Sequence, residues 1–186
     1  SNSQFNGPGN LSIITNTWHT PIANIVPTAI GSDWSIDSHV FTEPSTLDMS
    51  LTATEMKPFV MEIDVESEME QITLTEEVLN SITERDWIGF GFQLGYWDEQ
   101  NQRFVASTAG DGLDFGYSTS TEFGPMSFLS EDHIRFPLGS DLVEPGETAS
   151  FALLINLPGG SDNFTFALQQ YAVPEPSTFL LLAISG

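Results

Sequence analysis

Apolar and polar positions alternate along this chain in short runs, and the clearest run is Trp87–Trp97, WIGFGFQLGYW. Ile88, Phe90, Phe92, Leu94 and Tyr96 fall on one side of an extended backbone, and Gly89, Gly91, Gln93 and Gly95 on the other. A strand separates its side chains with a period of two, so the pattern predicts a strand that turns an aromatic stripe inward. The glycines opposite leave room for a close neighbour or for a bend in the sheet.

Similar runs stand at 11–18, 47–53, 58–66, 71–78, 103–108, 132–138, 149–157 and 163–171. The connectors carry turn formers: PGNL, DEQN, AGDG, EPGE and PGGSDN. Long stretches with helical periodicity are nearly missing. The count and spacing predict an all-β fold, an antiparallel two-sheet β-sandwich of jelly-roll or immunoglobulin-like type. One stretch competes. In TLTEEVLNSITERDW, Val78, Leu79 and Ile82 fit a helical face, with Thr73 and Glu76 as a capping box. The same letters fit a strand, a turn at Asn80-Ser81 and the strand at Trp87, and this second reading is the expectation. One sandwich over 1–172 is followed by an extended, apolar segment over 173–186, with no linker or internal repeat before it.

Composition narrows the function. Four basic residues stand against 26 acidic ones, a formal net charge of -22 in 186 residues. Such a surface repels nucleic acid and attracts cations. Acidic chains are often disordered, but 40% apolar and 11% aromatic residues supply enough side chain for a core. Cysteine is absent, as is common in exported bacterial proteins. No run reaches the roughly 18 apolar residues of a transmembrane helix.

Acidic residues offer two readings. Glu62, Asp64, Glu66, Glu68 and Glu70 alternate, which predicts a carboxylate row on one strand face, either a solvated face that discourages edge pairing or a cation-collecting strip. Asp111 and Asp114, among the glycines of AGDGLDFG, with Asp98, Glu99 and Asp162 in other loops, are candidate Ca²⁺ ligands beside the plainer reading of a turn. Catalysis finds no foothold: His19, His39 and His133 are isolated, and neither HExxH nor GxSxG occurs. The expectation is a protein that is not an enzyme. Trp18, Trp34, Trp87 and Trp97 suit either a sugar-binding platform or the core.

The chain closes on AVPEPSTFLLLAISG. Val173, Pro174, Glu175, Pro176, Ser177 and Thr178, followed by the apolar Phe179, Leu180, Leu181, Leu182 and Ile184, closely resemble the PEP-CTERM sorting signal of exopolysaccharide-producing bacteria. The strings DWIGFGFQLGY, DGLDF, EPGETASFALLINLP and NFTFALQQYAVPEPS resemble ectodomains of that group, over residues 72–178. The resemblance implies an all-β domain exported by way of an exosortase to the cell surface or beyond. The apolar run from Phe179 to Ile184 rises about 9 Å as a helix against roughly 30 Å of hydrocarbon, so by itself it does not span a bilayer. An apolar segment after a Pro-rich hinge suits strand addition at an open sheet edge, and the two prolines are expected to keep the hinge itself out of any sheet. If the edge belongs to a neighbour, a head-to-tail contact builds a homo-oligomer or filament; if it belongs to the same subunit, the segment is a last core strand; the third reading is a truncated membrane anchor. The first function expected is therefore a self-assembling structural protein of the extracellular matrix. The second is a monomeric surface module that binds polysaccharide, with Ca²⁺ as its possible cofactor.

Overall fold

In residues 71–80, Ile72, Leu74 and Val78 are buried while Thr73, Thr75 and Glu77 point outward; in 148–156, Ala149, Phe151, Leu153 and Ile155 are buried in the same alternation. The two segments pair antiparallel from Thr148↔Leu79 to Asn156↔Gln71, so their apolar rows fall on one face. That face cannot stay wet and needs a second sheet to cover it. The structure is a computed structural model and describes residues 23–176.

Among the described residues, thirteen strands make up two sheets. The larger is ordered β1 (Ile25–Ile30), β4 (Phe59–Val65), β13 (Phe164–Pro174), β6 (Trp87–Asp98), β11 (His133–Phe136) and β10 (Ser127–Ser130), with β7 (Arg103–Ala106) also on β6. The smaller is β2 (Trp34–Thr42), β3 (Thr46–Ala53), β5 (Gln71–Asn80), β12 (Thr148–Asn156) and β8 (Asp114–Phe115), with β9 (Thr119–Ser120) also on β12. The described chain is an all-β sandwich, as the alternation predicts. The stretch 73–86 is a strand and a turn rather than a helix: the backbone leaves β5 at Asn80 and enters β6 at Trp87.

One pair departs from antiparallel pairing. β3 and β5 run parallel, from Thr46↔Thr73 to Ala53↔Asn80. The chain crosses to the larger sheet for β4 between them, so β5 returns in the direction of β3. The sequence pattern also left out β1, β2, β10 and the two-residue strands β8 and β9. β2 is largely exposed and β10 wholly so, and an edge with both sides in water has no alternation to read.

The core holds an aromatic cluster around Phe151, whose ring centroid lies 4.7 Å from Phe90, 4.9 Å from Phe92 and 5.4 Å from Phe136. Trp34 stacks on Phe59 at 5.4 Å. Each such ring adds roughly 1.5–3 kcal/mol through burial. The stripe expected on β6 needs one correction. Phe90, Phe92 and Leu94 are buried, but Ile88 and Tyr96 are only partly so, and Trp87 is fully buried instead. Val173 pairs with Gly89 and Pro174 with Trp87, which leaves Ile88 as the extra residue of a bulge. A bulge resets the alternation. Trp87 thereby points into the core against Phe90, at 5.6 Å.

Candidate functional site

The C-terminal residues meet the fold earlier than their sequence suggests. Val173 and Pro174 are the last rungs of β13, and the backbone N–H of Glu175 donates to the Asp86 carbonyl at 3.0 Å. The expectation that the prolines keep this stretch out of the sheet is thus overturned for its first half. Pro174 is tolerated because it stands at the strand end, where the register shifts and the ladder asks for no donor. Pro176 closes the described chain, outside any strand. Ser177, Thr178, Phe179, Leu180, Leu181, Leu182 and Ile184 lie outside the described residues, as do Trp18 and His19.

The sheet edges differ in how they meet water. β1 carries Pro27, β2 carries Asp37 and His39, and β8 and β9 are two residues long. Each is a recognised way of discouraging a further strand. β10 is four residues long and bulged at Leu129 where it pairs with β11, through Ser127↔Arg135, Phe128↔Ile134 and Ser130↔His133, and it has neither proline nor charge and no strand on its other side among the described residues. Its sequence, SFLS, carries no charge, and Phe128 and Leu129 are 55% and 56% exposed.

The outer face of the larger sheet is built around the glycines of β6. A Cβ at Gly91 would come within 2.2 Å of Tyr171 Cζ, and one at Gly95 within 2.7 Å of Phe104 Cζ. The two rings therefore lie directly over the strand, one from β13 and one from β7. The space that the glycines promised is filled by aromatic side chains. Across β6, the Tyr171 hydroxyl meets His133 Nε2 at 2.8 Å. Burial lowers the His133 pKa, and although Asp132 pulls it up, Arg135 pulls it down again, so the imidazole stays below its ordinary value. Burial raises the Tyr171 phenol despite the pull of Arg135. Both rings are therefore neutral near pH 7. Gln93 and Gln169 are register partners on the same face, and Arg135 stands opposite Gly91. The isolation of His133 in the sequence does not survive folding.

The acidic expectations are redistributed. Glu62 and Asp64 do share the outer face of β4, and Asp64 accepts a hydrogen bond from Thr165 Oγ1 at 2.5 Å. Glu66, Glu68 and Glu70 do not continue the row, because β4 ends at Val65, where its partners Ile25 and Phe164 end as well. Turning the chain out of the strand also separates like charges that would sit about 7 Å apart. Asp111 closes its own loop: it accepts from Ser107 Oγ at 2.6 Å and Leu113 N at 2.9 Å, with Tyr96 at 3.4 Å. Burial pushes its carboxyl up, but these hydrogen bonds outweigh that and hold it below the usual range. Asp114, on β8, accepts from Asn156 Nδ2 at 2.6 Å. Among the described residues no group of three or more histidine or acidic side chains is placed to hold a metal ion. Trp34 and Trp87 belong to the core, which removes them from a sugar platform, while Trp97 is partly exposed on β6.

One acidic residue escaped the sequence reading. Glu76 lies on the inward face of β5 between Leu74 and Val78, fully buried, and faces the equally buried Gln170 of β13. Burial raises its carboxyl to about 8, with Gln170 offsetting part of the effect. No oxygen or nitrogen of either side chain makes a hydrogen bond of good geometry. Period two from Ile72 places Glu76 inward, which was the available signal.

Comparison of the chain with protein-family models, with curated proteins and with solved structures finds no match.

Proposed function

We propose that this chain is an exported structural protein of the bacterial cell surface or extracellular matrix, and that it assembles head to tail. The apolar segment Phe179–Ile184 of one copy adds as a strand along the free edge of β10 in the next. Support for export is the likeness of Val173–Thr178 to the PEP-CTERM signal. The observation that carries the assembly is the β10 edge, uncharged and apolar on a molecule of net charge -22. Copies of so acidic a protein repel one another over most of their surface, so a contact forms where both partners lack charge. Residues 179–184 and 127–130 both lack it.

Magnitudes are compatible with this reading. Phe128 and Leu129 with the five large side chains of the donor segment make seven apolar groups. A strand shelters one of its two faces, so about half of them are buried, for roughly 5–10 kcal/mol. Main-chain hydrogen bonds along the edge add to this, against roughly 4–15 kcal/mol for lost freedom on association. The expected product is a filament stable at high local concentration, because a head-to-tail contact need not close.

Electron microscopy and light scattering of the full chain test the proposal beside Leu129→Lys and a variant lacking residues 177–186. Filaments are expected from the unaltered chain and none from either variant, with circular dichroism and melting of the monomer unchanged. Filaments that persist in Leu129→Lys overturn the choice of edge. A full chain that stays monomeric at millimolar concentration overturns assembly. A deletion that destabilises the monomer shows that the segment belongs to its own subunit.

A further inference from the structure

The outward positions of β6 are covered in sequence. Val173 lies over Gly89, Tyr171 over Gly91 and Phe104 over Gly95. Trp97 follows on the same strand, paired with Phe104. Aromatic cover of a strand glycine is a stabilising device in its own right and accounts for the rings. It does not account for the polar groups set among them. His133 holds the Tyr171 hydroxyl at 2.8 Å, Gln93 and Gln169 sit side by side, and Arg135 makes no ion pair among the described residues.

We propose that this face, from Tyr171 to Trp97 across β6, binds a neutral polysaccharide lying along the strand. The rings at Gly91 and Gly95 are four residues apart, about 13 Å along a strand, which suits an extended chain rather than a single sugar. The aliphatic faces of pyranose rings stack on aromatic π-faces, and equatorial hydroxyls reach the amides beside them. Gln93 and Gln169 supply both donors and acceptors between the rings. The His133 bond fixes the Tyr171 ring before a ligand arrives, so little ordering is left to oppose binding. Charge selects the glycan. A net charge of -22, with Glu62 and Asp64 on the neighbouring β4, outweighs the cation Arg135 on this face and repels a polyanion. This inference is independent of the assembly proposal, since it uses neither β10 nor residues 177–186.

Affinity electrophoresis of the full chain tests it, in native gels containing a neutral β-glucan, galactomannan or xylan, each read against a glycan-free gel. Alginate serves as the polyanionic control. Retardation is expected in at least one neutral gel and not in alginate. Tyr171→Ala and the double change Gln93→Ala, Gln169→Ala are each expected to weaken it by about tenfold, with melting within a few degrees of the parent. Tyr171→Phe keeps the ring and is expected to lose less. Absence of retardation in all three neutral gels, retardation in alginate alone, or retardation unchanged in a folded Tyr171→Ala protein overturns the proposal.

Discussion

Replacing Glu76 with glutamine removes one proton-binding group from the core and alters little else. The folded protein holds this carboxyl neutral up to about pH 8, against an ordinary value of 4.5 in the unfolded chain. Between those values the folded state binds more protons than the unfolded one, so stability falls as pH rises. The contribution is fully present below pH 4.5, declines through the neutral range and is lost above about 8. The whole interval corresponds to about 5 kcal/mol, of which about 3 kcal/mol is already gone at pH 7. Glu76→Gln does not titrate. Denaturant unfolding of both proteins from pH 4 to 9 isolates the effect, because the other acidic residues contribute equally to each curve. The curves should nearly coincide near pH 4, with the variant more stable by about 3 kcal/mol at pH 7 and about 5 kcal/mol at pH 9. A difference that stays constant across this range refutes the reasoning. It would mean that Glu76 ionises as freely in the fold as outside it.

Two other perturbations probe the outer face and the turn. A Cβ at Gly95 would meet the Val105 carbonyl at 2.1 Å, whereas one at Gly91 meets the movable ring of Tyr171. Gly95→Ala is therefore expected to cost about 3 kcal/mol and to release β7, and Gly91→Ala about 1 kcal/mol, as read by denaturant unfolding, with loss of the His133–Tyr171 contact by NMR in the second case. Asn80 ties the turn between β5 and β6, donating to the carbonyls of Arg85 at 2.8 Å and Val143 at 3.1 Å and accepting from Ile82 N at 3.1 Å. Asn80→Ala should cost about 2–3 kcal/mol at every pH, and no loss in thermal melting would contradict that role.

The alternation of apolar and polar residues was sufficient, from sequence alone, for the all-β class and for the existence of β3, β5 and β12, because in those strands one side meets the core and the other meets water. It was sufficient for a break between β5 and β6 and for the space above the β6 glycines, but it placed the turn at Asn80-Ser81, whereas β5 runs through Asn80 and the turn falls at Thr83-Glu84. What filled that space was not legible. Tyr171 and His133 are 38 residues apart and meet because β13 and β11 flank the same strand. The bulge at Ile88, the end of β4 at Val65 and the parallel pairing of β3 with β5 likewise follow from neighbouring strands, not from local letters. Exposed β10 left no periodic trace, yet it presents the apolar edge on which the assembly reading depends. A strand's own pattern records which of its sides is buried; which partner lies beside it is decided by long-range pairing, where the energy comes from residues far away in the chain.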